Sequence, residues 1–255
     1  MLRITKYVWA DILQNRVVLA YTAFLLAVSF ALFSMDSNPA KGLMSLLNIV
    51  LMVVPLISII FTTIHFYNSY EFIELLLAQP IRRSHLLLSE YAGVASSLTS
   101  AFLIGVGLPV AIFAGTATGL FLVGAGVSLT LIFVSVAFWA SVFTRDKAKG
   151  IGVTLLLWFY FVLLYDGLVL TVLFSFSDYP LEKVMLVLTT LNPVDLARIV
   201  VLLQMDVSAL MGYTGALYAE LLGSTFGIVY ACLILLVWAV VPLLSALYMF
   251  RRKDL

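Results

Sequence analysis

Six separate stretches of this 255-residue chain, at about 17–34, 43–66, 92–114, 119–143, 150–176 and 222–249, are apolar over the length that a helix needs to cross a bilayer. Hydrocarbon offers a backbone N–H or C=O no partner outside its own segment, so a stretch of this kind crosses as a helix. Composition closes off the soluble alternative. Hydrophobic residues make up 64% of the chain and charged residues 11%, whereas a soluble domain carries about a quarter charged residues. Such a chain cannot cover a water-facing surface with polar side chains. The reading is an all-α polytopic membrane protein of six transmembrane helices in one domain, 1–255, with no internal repeat and no low-complexity linker. The first apolar stretch follows Arg3, Lys6 and Arg16 and has no small-residue cleavage site behind it, so it reads as a retained span.

Charge placement sets the orientation. Arg3, Lys6 and Arg16 precede the first span, and Arg82 and Arg83 lie between spans two and three. Arg145, Lys147 and Lys149 lie between spans four and five, and Arg251, Arg252 and Lys253 follow span six. Only Lys41, Lys183 and Arg198 fall on the other side, so the excess of positive charge predicts both termini in the cytoplasm, in a cell inner membrane.

The segments outside the spans carry structure of their own. Residues 3–16 set Ile4, Tyr7, Val8 and Ile12 at helical spacing among polar positions, which suits a helix lying in the membrane interface. The loop at 67–91, with YEFIELLLAQPIRRSHLLLSEY at its heart, is too polar to span and too apolar to float free. Pro80 divides it into two short helices, and Leu75, Leu76 and Leu77 need the bundle or a partner to pack on. Between spans five and six, Pro180 and Pro193 suit first helical turns, Asn192 is a good N-cap and Asp195 favours the positive end of a helix. Two amphipathic helices are expected outside the membrane, near 180–191 and 193–211, the second closed by Gly212.

Several chemistries are absent. There is no GxxxxGK[ST] phosphate loop, no HExxH and no GxSxG, and no basic–aromatic face points to nucleic acid. Cys232 stands alone, so there is no disulfide and no CxxC metal site. His65 and His85 flank a surface segment and read as polar interfacial residues, while Met185, Met205 and Met211 are too widely spaced for a soft-metal motif and read as packing. The glycines of spans three and four fit close helix contact, and Pro55, Pro109 and Pro242 fit helix kinks.

Asp166, in WFYFVLLYDGLVL, is the one acid inside a span, slightly past its middle. A carboxylate there is costly unless protonated, paired or wetted. Two readings stand: a group lining a transport route or proton-linked gate, or a neutral acid hydrogen-bonded to Tyr160 or Tyr165 that holds helices in register.

Six spans, an interfacial first helix, ELLLAQPIRR after span two and helices before span six together resemble the ABC-2 type permeases, membrane subunits of exporters with no ATPase of their own. The run around Asp166, LNPVDLARIVVLL at 191–203 with GYTGA at 212–216, and the ending VPLLSALYMFRRKDL are similar to the permeases of the Nos system for nitrous oxide reductase maturation. The resemblance covers nearly the whole chain. It implies a type V exporter-like fold and a homodimer with a route along the interface between the copies. It also implies a coupling element that docks into a separate cytoplasmic ATPase dimer through Glu71, Glu74, Gln79, Pro80, Arg82 and Arg83. ATP and magnesium would then belong to that partner, and this chain would bind no cofactor and no metal. It further implies a periplasmic copper-handling partner at 180–211, where Asn192, Pro193, Asp195 and Arg198 would dock, and a copper or sulfur species as cargo. The chain departs from the family pattern where Tyr70, Glu71 and Phe72 stand ahead of the leucines, and where Glu90 replaces a common lysine.

A generic exporter of drugs or lipids is the alternative within this family. A stand-alone secondary carrier using Asp166 as a proton site is a further one, weakened by the missing repeat and by there being a single intramembrane acid. An intramembrane enzyme would want a buried Ser/His or carboxylate pair, and none is visible.

Overall fold

The computed structural model of the chain describes residues 2–35, 38–70, 83–144, 146–176, 182–205 and 225–252, all of them in helices or the turns that join them. In chain order the helices are α1 (Leu2–Leu13), α2 (Arg16–Met35), α3 (Pro39–Asn68), α4 (Arg83–Phe113), α5 (Ala117–Phe143), α6 (Lys147–Ser175), α7 (Glu182–Leu191), α8 (Pro193–Gln204) and α9 (Thr225–Arg252). Of these, α2, α3, α4, α5, α6 and α9 are the six long and apolar enough to cross a membrane.

Short polar residues start the spans. Asn38 accepts from the Ala40 N–H ahead of α3, Thr116 from the Gly119 N–H ahead of α5, and Asp146 from the Lys149 N–H ahead of α6. Each satisfies a donor that the first turn leaves open. Asn15 does the same for α2, accepting from Val17 N–H at 2.9 Å, and so marks the break between α1 and the first span. In α1, Val8 and Ile12 are buried, and Ser97 on α4 donates to the Trp9 carbonyl at 3.2 Å.

The helix α4 begins at Arg83, well before the apolar stretch near 92. Hydropathy marks only what hydrocarbon covers, and the helix runs on through Ser84, His85, Ser89 and Glu90. The segment at 71–82, which holds Pro80, lies outside the described residues, as do Arg145 and the stretch from 206 to 224 that holds Met211 and Gly212.

The centre of the bundle is α5, the most buried span, with α3 and α9 packed along it. Leu129, Ile132, Phe133 and Phe138 are fully enclosed. At Gly126 the outer end of the Phe102 ring occupies the space beside the backbone, and a Cβ there would overlap it. In α4 a π turn at Leu103–Gly107 precedes Pro109. Pro109 has no N–H to offer the Gly105 carbonyl one turn back, and Ser29 of α2 donates to that carbonyl instead at 3.1 Å. A hydroxyl from a neighbouring span thus repairs the ladder that the proline breaks.

Gly126→Leu is expected to destabilise the folded chain by about 1–3 kcal/mol through overpacking. Gly124→Ala, where a Cβ meets nothing within 4 Å, is expected to stay within about 0.5 kcal/mol of wild type. Thermal unfolding of both in the same lipid–detergent mixture checks this; equal losses would show that the Phe102 contact is not close.

Candidate functional site

Residues far apart in the chain meet where α6 faces the pair α7–α8. The helix α6 is interrupted by a π turn at Tyr160–Leu164, immediately before Tyr165 and Asp166. Such a turn displaces carbonyls from the regular ladder and often marks a functional hinge. Opposite it, α7 and α8 meet at 113° with Asn192 at the corner.

A corner inside a membrane protein exposes the last carbonyls of one helix and the first N–H groups of the next. Here the bundle supplies partners for them. Tyr165 donates its hydroxyl to the Leu188 carbonyl at 2.6 Å, and Trp238 of α9 donates Nε1–H to the Thr190 carbonyl at 3.0 Å. Asn192, fully buried, accepts from Val194 N–H at 3.0 Å through Oδ1. Its Nδ2 donates to the Phe161 carbonyl in the π turn at 2.9 Å and to Asp195 Oδ2 at 3.0 Å. At the far end of α8, Thr118 donates to the Gln204 carbonyl at 3.0 Å. Beneath these bonds Val194, Leu196, Ala197, Ile199, Val200 and Val201 are buried, so α8 is seated in the bundle.

Charge completes the site. Arg198 of α8 donates Nη1–H to Asp166 Oδ2 at 2.9 Å, and the same nitrogen lies 3.3 Å from Oδ1 of Asp195, one turn earlier. One guanidinium, which cannot be deprotonated, therefore holds two carboxylates, one from α6 and one from its own helix. Asp195 lies on α8, one half of a bent helix pair that is together apolar enough to enter a membrane.

Among the described residues the partner of Asp166 is thus Arg198 and not a tyrosine. Tyr165 is committed to Leu188, and a cationic donor outcompetes a neutral hydroxyl for a carboxylate. The side chains of Asp166 and Arg198 stay 37% and 30% exposed. Asp166 lies on a span otherwise lined by exposed Leu163, Leu164, Leu168 and Leu170. Lipid tails would be a poor solvent for a cluster of this polarity, so its open side suits water or protein.

Of the four residues expected to receive a periplasmic partner, Asn192 and Pro193 are buried inside this chain, Asp195 is mostly covered and Arg198 half-covered. Of the six expected to couple to an ATPase, Arg83 opens α4, and Glu71, Glu74, Gln79, Pro80 and Arg82 lie outside the described residues. Sequence reasoning missed Tyr165 and Trp238 as caps, because nothing local marks a side chain that caps another helix. Among the described residues no three His, Cys, Asp or Glu side chains gather as a metal site.

The shared guanidinium makes an asymmetric prediction. Asp166→Asn leaves Arg198 with Asp195 and is expected to cost less than about 1 kcal/mol. Arg198→Gln leaves two neighbouring carboxylates with no counter-charge and is expected to cost about 1–3 kcal/mol. Thermal melts of the two variants side by side settle the order, and a larger loss in Asp166→Asn would contradict the sharing.

Comparison with known proteins places this architecture. Residues 11–255 match the family described as ABC-2 family transporter protein. The chain is 30% identical over 269 aligned positions to the probable ABC transporter permease protein NosY of Pseudomonas aeruginosa, covering 96% of each chain. It is also 30% identical over 268 positions to the protein of the same name from Stutzerimonas stutzeri, covering 96% of this chain and 95% of the relative. With six apolar helices long enough to cross a bilayer and a family match over almost its full length, the chain is a multi-pass membrane protein that belongs to the ABC-2 family of transporter proteins.

Proposed function

We propose that this chain is the permease subunit of an ATP-driven ABC transporter, working as a homodimer in the inner membrane with a separate cytoplasmic ATPase dimer. The observation that carries the reading is the end-to-end similarity to two probable ABC transporter permeases, with no large unmatched region in either partner of the comparison. The bias of Lys and Arg supports both termini in the cytoplasm, which puts 71–82 on the same side as the ATPase. Glu71, Glu74, Gln79, Pro80, Arg82 and Arg83 are the residues assigned to that contact.

Further along the membrane, Asp166 on weakly buried α6, paired with Arg198 of α8 and about one-third exposed, is where a polar route along the interface between two copies would pass. The α7–α8 pair is the part offered to a periplasmic copper-handling partner, through exposed Val184, Val187 and Leu191 and not through buried Asn192 and Pro193. The cargo on this reading is a copper or sulfur species used in nitrous oxide reductase maturation. The secondary-carrier reading loses ground, since the Asp166 carboxylate is taken up by a guanidinium within its own chain.

A tagged chain, purified in mild detergent from cells that express its neighbouring genes, is expected to bring down an ATP-binding subunit. Arg82→Glu with Arg83→Glu is expected to weaken that capture by more than about tenfold. A permease that purifies folded and never carries an ATPase contradicts the reading. In cells, Asp166→Asn is expected to lower nitrous oxide reduction while the permease level stays unchanged; wild-type reduction would remove Asp166 from the route.

A further inference from the structure

At the end of the bundle where α6 begins, α3 leads into the segment 71–82 and α4 leads out of it. Between these two helices lies an ionisable pair that the transport site does not use. Glu90 of α4 has a side chain only 3% exposed, and its Oε2 lies 3.4 Å from Nε2 of His65 on α3. The His65 ring stacks on Phe61 with centroids 6.0 Å apart, and the Ser69 hydroxyl lies 3.5 Å from the same Nε2. A carboxylate hidden to this degree is costly unless paired, and a leucine would fill the space without that cost. The pair therefore brings something other than packing.

Its surroundings suggest what. The end of α3 is fastened to the turn between α5 and α6: the Tyr67 hydroxyl bonds Thr144, and Lys147 Nζ donates to Asn68 Oδ1 at 2.8 Å. The phenol of Tyr67 also lies against Gly150, where a Cβ would strike it. The start of α4 is fastened to the end of α9, where Arg251 Nε donates to Ser84 Oγ at 3.1 Å. His65–Glu90 joins one fastened set to the other. On its α2 side the same end of α3 borders a cavity of about 230 Å³ lined by Asn15, Val17, Phe61, Ile64, His65 and Asn68. That end is tied to its neighbours on one flank and has room on the other.

We propose that Glu90 and His65 are a positioning pair for the transport cycle. They make the end of α3 and the start of α4 move as one body, so that a displacement received by 71–82 passes to α5 and α6 through Tyr67 and Asn68 and to α9 through Ser84. The proposal rests on the reading of 71–82 as the segment that meets the ATPase. It makes the pair a transmitter and leaves the cargo and the outer site untouched.

Cys232, the single cysteine of the chain and exposed on α9, is a native reporter of this movement. The complete permease–ATPase complex, placed in lipid nanodiscs, carries a nitroxide on Cys232 of each copy. The distance between the labels is measured with and without ATP plus vanadate, alongside the melting temperature and the ATPase content of the complex. Wild type is expected to shift between two distance populations. Glu90→Ala and His65→Ala are expected to keep their ATPase but to reduce the nucleotide-driven change in the population ratio by roughly 2- to 30-fold. The exchange of both residues, His65→Glu with Glu90→His, is expected to restore it. Should Glu90→Ala fail to fold, Glu90→Met, close in volume and unable to pair, takes its place with the same expectation.

Assembled single variants that shift as wild type does overturn the proposal, and so does an assembled exchange variant that stays uncoupled. A wild-type permease that binds no ATPase overturns the functional reading on which it rests, and the ATPase content of the sample tells these failures apart.

Discussion

In hydrocarbon no water waits to receive a carbonyl or an N–H, so every departure from regular helix in this chain must bring its own partner. The structure meets that demand with side chains from other helices. Ser29 reaches the carbonyl that Pro109 abandons, and Tyr165 and Trp238 close the end of α7. Asn192 opens α8 and at the same time holds the π turn of α6, while Thr118 closes α8. The caps that allow α7 and α8 to bend are thus also the bonds that fix them to α5, α6 and α9. A corner stabilised in this way cannot be loosened without disturbing the span that supplies the donor.

This linkage gives the charge cluster its meaning. Arg198 sits between Asp166 on a span and Asp195 on its own helix. If α6 and α8 were to part, the guanidinium would keep a counter-charge, which lowers the cost of separation compared with a simple two-residue bridge. The π turn beside it places a point of easy bending in the same span. On the proposed reading, the outer part of the permease has a hinge and a tether at one level of the membrane. The inner end has a buried polar pair that ties the two helices flanking the segment meant to receive force.

Much of the architecture was legible in the sequence, because the bilayer imposes length and apolarity on every span and these survive in the residue order. The start of α8 was legible for a local reason: Asn192 before Pro193, with Asp195 in the first turn, is a cap that needs no tertiary context. The partner of Asp166 was not, since Arg198 stands 32 residues away on a helix read as lying outside the membrane. The π turns were invisible, because YFVLL and LIGVG carry no residue that demands an extra unit per turn. The buried state of Glu90 was missed because a glutamate beyond the apolar stretch looks solvated until His65 from another helix is set against it. In each case the missing information was a contact between helices, which neither hydropathy nor propensity records.

The central claim is that a chain without a motor takes its motion from an ATPase on the cytoplasmic side, through the segment between α3 and α4. It depends on the side of the membrane at which that segment lies. A cysteine placed at Gln79 in a Cys232→Ser background, challenged with a membrane-impermeant thiol reagent, tests this directly. The account predicts no labelling in intact cells and full labelling once the membrane is opened. Labelling of residue 79 in intact cells would contradict it.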